Sequence, residues 1–130
     1  MTALNAIRAS ELVERPTRTL LGPALDWAFA QALELPATIL SPLYGTGPRV
    51  FIAVGTVAIR QQRFQPSSNW GQGGVYIAQF GFEFQHQDGV MEARAPGMYG
   101  AGADHLVAMC RAVIANRLGD RIACPVELLA

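Results

Sequence analysis

Lysine does not occur in this 130-residue sequence, and charged residues of all kinds make up only 15% of it. Ten arginines balance ten acidic residues, so the formal net charge at pH 7 is zero. A chain without a basic surface has no field with which to hold a nucleic-acid backbone, which argues against nucleic acid as a partner. Arginine is nevertheless the better bidentate ligand for carboxylate or phosphate, so a local site for a small anion stays open.

Cysteine and histidine are also scarce, with two of each. Cys110 and Cys124 have neither CxxC spacing nor a partnering histidine motif, which predicts reduced, buried thiols. Two histidines and no clustered carboxylates predict no metal site. Cys110 and His105 lie five residues apart on one predicted helix, so they project about 140° apart and cannot form a nucleophile and base pair.

Nucleotide-binding and hydrolase signatures are absent from the sequence. It contains no GxSxG, HExxH, Walker or dinucleotide fingerprint. The run Gly71-Gln72-Gly73-Gly74 lacks both the spacing and the preceding strand of a phosphate loop. The sequence therefore assigns no catalytic residue and no cofactor, and it leans against an enzyme.

No apolar run approaches the roughly 18 residues that a membrane span needs, and residues 1–15 lack the continuous apolar stretch of a secretory signal. We therefore expect a cytoplasmic protein without a membrane partner. The length suits one domain over residues 1–130, with residues 1–15 loosely ordered. About half of the residues are apolar, and apolar surface in excess is usually covered by another chain, which predicts a homo-oligomer or a protein partner.

The most distinctive stretch is the loop from Gln65 to Gly74, where amides, turn-forming residues and a tryptophan occur together. Its glycines allow a close approach of the backbone to another group, and a neighbouring tryptophan needs a place in the fold. If a helix starts at Gly74, its free N–H groups could hold a small anion, with help from Asn69, Gln72 and Arg111. The alternative is a structural loop that docks Trp70 against the rest of the chain. The candidate ligand-binding residues of the loop are Asn69, Trp70, Gln72, Gly73 and Gly74.

A first helix is predicted over about residues 22–34, with Pro23 at its first position and Pro36 beyond its end. Leu21, Leu25, Phe29 and Leu33 form one apolar stripe, the predicted core face. Trp27 falls on the other side of this helix. It either packs beneath a loop of its own chain or presents an indole to a partner or ligand, so Asp26 and Trp27 join the candidate site residues.

A hairpin is predicted from Phe82 to Ala95, where alternating residues flank an Asp88-Gly89 turn of the I′ type. The turn sets the register, with Gln87 opposite Val90 and Glu83 opposite Arg94. Phe82, Phe84 and His86 then share one apolar side with Met91, Ala93 and Ala95. His86 is interpreted as a residue at the rim of that side.

A second main helix is predicted over about residues 104–118, with Asp104 as its N-cap and Gly119 as its stop. Residues 49–54 read as a strand that is buried on both faces, and residues 56–60 could continue as another strand. Residues 74–79 fit either a strand start or a short helix, and residues 96–102 form a second glycine-rich loop. The fold class is α+β, a small antiparallel sheet packed by the two main helices.

Three segments in this order resemble the phage NinX-like family, a set of small phage and prophage proteins of unknown function. They are 21–30 with Asp26-Trp27, 66–74 with Trp70-Gly71-Gln72-Gly73-Gly74, and 106–111, followed by 118–120 and 125–128. Asn69 stands where the family usually has an aspartate, and residues 36–64 are longer and more apolar. The resemblance implies a bacterial cytoplasm and a phage-derived origin, and it supplies no catalytic residues.

Two functions follow as hypotheses. The first is a non-enzymatic phage or prophage accessory protein that acts through protein contacts, because the sequence has apolar residues in excess and no catalytic set. The second is a small-ligand or nucleotide-binding protein, or an enzyme, with a pocket formed by Trp70, Trp27 and the glycine-rich loops.

Overall fold

The structure is a computed structural model that describes residues 11–40, 47–55, 57–58 and 60–129. Three helices and eight strands occur in these residues, which confirms the α+β class. The helices are α1 (Gly22–Ala32), α2 (Trp70–Phe80) and α3 (His105–Leu118). The strands are β1 (Leu12–Pro16), β2 (Ala37–Leu40), β3 (Arg49–Val54), β4 (Arg60–Arg63), β5 (Glu83–Gln87), β6 (Val90–Ala95), β7 (Met98–Gly102) and β8 (Arg121–Pro125). None of the described helices is both long and apolar enough to cross a membrane.

The strands form three small antiparallel sheets, which pair β1 with β8, β2 with β3 and β4, and β5 with β6 and β7. Helix α3 packs on β6 and β7, and α1 packs on α3. Strand β1 includes residues 12–15, which we expected to be loosely ordered; they pair with residues 122–125 of β8 instead. Residues 1–10 lie outside the described part of the chain.

The predicted hairpin and its register are confirmed. Glu83 lies opposite Arg94, and Gln87 lies opposite Val90. Asp88 and Gly89 both have positive φ, 54° and 77°, as a type I′ turn requires. The two-residue turn sets which residues lie opposite each other. Because side chains alternate between the two faces of a strand, this pairing also places the apolar residues on one side.

The second glycine-rich stretch is a strand, which corrects the prediction of a loop at residues 96–102. Strand β7 lies beside β6 and faces α3. A Cβ atom on Gly100 would overlap the backbone of Ala108 and Ala112, and one on Gly102 would lie 2.6 Å from Val107 Cγ1. These two glycines therefore allow the helix to approach the sheet closely.

Helix α3 begins and ends as predicted. The side chain of Asp104 accepts a hydrogen bond from Val107 N at 2.9 Å, and Gly119 follows the last helical residue with φ 102°. Ala108 and Ala112, on the side opposite the large apolar residues, are fully buried against β7. These small residues allow the helix to pack closely on the sheet.

Helix α1 is buried over more of its surface than the predicted stripe. Asp26 and Ala30, which do not belong to the predicted stripe, are buried, whereas Leu21 is the N-cap residue and is 59% exposed. Contacts with α3, β3 and β8 surround the helix, so periodicity alone could not separate a core face from an outer face. The helix ends at Ala32, earlier than predicted.

Strand β3 occupies its predicted position, but only Val50 in it is buried. The strand lies between β2 and β4, and all four residues of β4 are exposed. The neighbouring strand starts at Arg60, later than predicted, while Thr56 lies outside the described residues. The expectation of a strand buried on both faces is therefore wrong, because within the described residues five of its six residues are not buried.

Candidate functional site

The loop before α2 is organised by Asn69, which is the N-cap of a helix that starts at Trp70 instead of Gly74. The Asn69 side chain accepts a hydrogen bond from Gln72 N at 3.2 Å, and its carbonyl accepts one from Gly73 N at 2.8 Å. These bonds satisfy donors that a free helix end would offer to an anion. The start at Gly74, on which the predicted anion site depended, does not occur.

Gln72 ties α2 to the strand and loop that precede it. Its side-chain amide donates to Arg63 O at 2.9 Å, and its side-chain oxygen accepts from Gln65 N at 2.6 Å. Both ends of the side chain are thus used within the chain. Gln72 thus has a structural role, and its ligand contact stays a prediction.

Gly73 is the one fully buried residue of α2. A Cβ atom at this position would overlap Pro66 O and would lie 2.8 Å from Leu106 Cδ2. The loop backbone at Pro66 can therefore approach helix α2 this closely only where the helix has a glycine. Gly74 is different, because a Cβ atom there would make an ordinary 3.4 Å contact with the Trp70 ring.

Trp70 itself is 57% exposed. Its ring centroid lies 5.7 Å from that of His105, and the His105 ring meets Phe84 edge-on at 4.7 Å. The indole is thus supported on one side and open to solvent on the other, so docking of Trp70 is only partial. The loop packs closely against helix α2 at Gly73 instead.

The outward side of α2 continues from Trp70 without a charged residue. At about 100° per residue, Gly74 and Ala78 follow Trp70 along the helix, with Gly71 and Val75 beside them. Val75 is 58% exposed, and helix α2 contains no charge at all. We call Trp70, Gly71, Gly74, Val75 and Ala78 the Trp70 face.

Asp26, on α1, reaches the opposite end of the same loop. Asp26 is only 5% exposed, and its carboxylate accepts a hydrogen bond from Ser67 N at 2.8 Å. Burial raises the pKa of Asp26 to about 6, and the hydrogen bonds from Ser67 and the charge of Arg63 reduce that rise. A carboxylate whose pKa is raised in this way is one mark of a functional site.

A concave site of about 340 Å³ opens beside Asp26. We call it the Asp26 cleft. Apolar residues of its wall include Pro23, Val50 and Leu128, and four of its residues carry charge: Asp26, Arg49, Arg63 and Glu127. Glu127 Oε1 is buried and has no hydrogen-bond partner among the described residues. The cleft thus combines a carboxyl group with a raised pKa, an acceptor without a hydrogen bond among the described residues, and two guanidinium groups.

Arg111 and Trp27 lie elsewhere. Arg111 donates to Leu20 O at 3.2 and 3.0 Å and to Ala101 O at 2.9 Å, and burial lowers the pKa of its guanidinium. It lines a separate cleft and is not brought to the loop from Gln65 to Gly74.

Trp27 is half-buried against the core, and neither indole lines the three main clefts of the described residues. The predicted pocket formed by Trp70, Trp27 and the glycine-rich loops is not one of these clefts, and it stays a prediction.

The remaining chemical groups are buried or dispersed. Cys110 and Cys124 are free and buried, as predicted, and burial raises the pKa of both thiols. Within residues 11–40, 47–55, 57–58 and 60–129, no three His, Cys, Asp or Glu side chains are grouped as a metal would require. The donors in these residues thus offer no constellation for metal chemistry.

Sequence reasoning missed Arg49, Arg63 and Glu127. Arg49 starts a strand, Arg63 ends one, and Glu127 lies in a turn near the end of the chain, so no motif connects them. Only the packing of β3, β4 and the last turn around α1 brings them together. Asp26 was found through its pairing with Trp27 in the sequence, although the structure places only Asp26 in the cleft.

No protein-family model matches this chain, and a search of curated proteins finds no significant match. The resemblance to the phage NinX-like family is thus carried by the residue pattern alone.

Proposed function

We propose that this protein is a non-enzymatic accessory protein that acts through protein contacts, and that the Trp70 face is its contact surface. One observation carries the proposal: an indole that is 57% exposed stands at the start of a helix whose outer side has no charge. Tryptophan is enriched among the residues that dominate interface energies. The small residues beside it allow another backbone to approach closely.

The proposed occupant of this face is a second copy of the chain. The net charge is zero, so two copies do not repel each other through their overall fields. The face also contains no charge that a self-complementary interface would bury without a partner. His105 and Phe84 support one side of the indole, which reduces the entropy lost when the ring inserts into a partner.

Analytical ultracentrifugation over a concentration series tests the proposal. The wild-type protein is expected to reach twice the 14.0 kDa mass of one chain. Trp70→Ala should weaken the dimer roughly 30-fold, because truncation of a central tryptophan costs about 2 kcal/mol. Val75→Glu should weaken it as well, since a charge would be buried at the contact.

Val90→Glu is the matched control, because Val90 is an exposed valine of the hairpin that lies outside the Trp70 face. Circular dichroism establishes that each variant is folded. A wild-type protein that sediments as a single chain at every concentration contradicts the proposal. Equal dissociation of Val75→Glu and Val90→Glu also contradicts it.

The proposal includes descent from the same ancestor as the phage NinX-like family, and a place in the cytoplasm of a bacterial or phage-infected cell. Its support is the residue pattern of Asp26-Trp27 with the Trp70 loop, two segments that meet through the hydrogen bond from Ser67 N to Asp26. A structure of a NinX-like protein in which these segments do not meet would count against common descent. Recovery of the protein in a membrane pellet would count against the location.

A second candidate function is the binding of a small ligand. The Asp26 cleft favours it, because a buried carboxylate, a second acid and two arginines converge there. In this function the Asp26 cleft is the binding pocket, instead of the predicted pocket formed by Trp70, Trp27 and the glycine-rich loops.

A further inference from the structure

We propose that the Asp26 cleft binds a small zwitterion with an apolar body, of the chemical class of the free apolar amino acids. The observation behind it is that one concave site presents unused acceptors and unused donors together. This inference is independent of the proposed dimer, since none of the Trp70-face residues lines the cleft.

The acceptors are the carboxylates. Glu127 Oε1 is shielded from solvent and receives no hydrogen bond within the described part of the chain. A buried acceptor without a donor destabilises the folded state, and more so when it is charged. Asp26 accepts hydrogen bonds only from Ser67 among the described residues, with Ser67 N on Oδ1. An ammonium group has three donors and can supply both carboxylates.

The donors are the guanidinium groups. The described residues place no hydrogen-bond acceptor on the Arg63 side chain, although its charge acts on Asp26. Arg49 uses Nη1 for Gly47 O and Pro48 O, both at 3.0 Å, and its Nη2 makes no bond to the described residues. A guanidinium fork fits a carboxylate in two-point contact.

A ligand of one sign would leave half of these groups unpaired. A simple anion would pair with Arg63 and leave the carboxylates without a donor, whereas a simple cation would do the reverse. Two acids and two arginines line the site, so a ligand with one charge of each sign keeps the total neutral. A bound ligand would remove water from these groups, including Arg63, which is exposed in the free protein. Each charge that the ligand covered without pairing would then be unfavourable, which selects the zwitterion.

The size and the wall of the cleft limit the rest of the ligand. About 340 Å³ lies at the lower end of the range for small-molecule sites. Pro23, Val50 and Leu128 offer an apolar surface beside the charged groups. An aliphatic side chain would contact this surface while the two charged ends meet the polar groups.

Isothermal titration calorimetry with L-leucine, L-isoleucine, L-valine and L-methionine tests the inference. At least one of the four should bind the wild-type protein. Its N-acetyl derivative lacks the ammonium and its amide lacks the carboxylate, so each should bind at least about tenfold more weakly. Glu127→Gln and Arg63→Ala should each weaken the free amino acid by a similar factor.

Arg60→Ala and Glu11→Gln are matched controls, because Arg60 lies on the same strand as Arg63 and both residues are exposed outside the cleft. They should bind as the wild type does. The absence of binding by all four amino acids overturns the inference. Equal binding of the acetylated or amidated derivative, or unchanged binding by both cleft variants, overturns it as well. The dimer measurement responds to none of these substitutions, so the two proposals fail separately.

Discussion

The two surfaces beside the Gln65–Asn69 loop differ in almost every physical respect. The Trp70 face is an outward, uncharged helix side, whereas the Asp26 cleft is concave and lined by two acids and two arginines. The loop contacts α1 through Ser67 and begins α2 at Asn69. One short segment therefore positions both surfaces. The distinctive residues of this sequence thus position two surfaces of different character.

The largest expected effect comes from the glycine that holds this segment in place. Gly73→Ala should destabilise the protein by about 3 kcal/mol, because the added Cβ overlaps Pro66 O and crowds Leu106. Both surfaces should then be disturbed together. Urea unfolding, followed by circular dichroism, measures the change.

Gly74→Ala is the control for this substitution, since its Cβ would have room beside Trp70. Alanine in a helix is more favourable than glycine by roughly 1 kcal/mol, so this variant should be more stable than the wild type. Equal losses in the two variants would show that the contact at Pro66 does not decide the packing.

The next effect is a pH dependence of stability, which arises from Asp26 in the cleft and not from the Trp70 face. Burial raises the pKa of Asp26 from 3.8 to about 6, so the folded state favours the protonated acid. This contribution to stability is complete below about pH 3.8 and is lost as the pH rises through about 6. Asp26 should therefore lower the free energy of unfolding by about 2 kcal/mol between pH 4 and pH 7.

Asp26→Asn should remove this pH-dependent loss, because asparagine keeps an oxygen for Ser67 N and carries no charge. Unfolding in urea across the pH range measures it, with Asp120→Asn at an exposed position as the control. An unchanged slope in Asp26→Asn would mean that the buried carboxylate does not carry the pH dependence. The dimer mass should not respond to either substitution.

The smallest of the three effects concerns the amide that ties α2 to β4. Gln72→Ala removes the bonds to Arg63 O and Gln65 N, which should cost about 1 kcal/mol. Arg63 would also lose its position, so amino-acid binding should weaken more than the dimer. Gln79→Ala, at an exposed position of the same helix, should change neither. A dimer that weakens as much as ligand binding would show that Gln72 does not act selectively on the cleft.

Much of the fold could be predicted where local rules suffice. The hairpin register followed from Asp88-Gly89, and the limits of α3 followed from Asp104 and Gly119. The glycines at Gly100 and Gly102 were misread as a loop, because their reason lies in contact with Ala108 and Val107 of a distant segment. Glycine in a strand and glycine in a loop look alike until the neighbour is known.

The candidate site could be predicted less well. Asn69 and Gln72 are candidate ligand residues by sequence, and in the structure their side chains bond within the chain, so their ligand contact stays a prediction. Arg111 was placed near them only by conjecture and instead bonds to Leu20 O and Ala101 O. Arg63 and Glu127 carried no pattern by which they could be connected, since 64 positions separate them.

The sequence by itself determined the features that depend on neighbours along the chain: the capped helix α3, the hairpin, the balance of charge and the distinctiveness of the Trp70 loop. Tertiary structure alone decided what lies at the surface. Trp70 is exposed and Asp26 is buried, although each belongs to a short segment that is distinctive in the sequence. The physical reason is that burial and unpaired hydrogen-bonding capacity arise from contacts between segments far apart in the chain, which no local period or turn rule encodes.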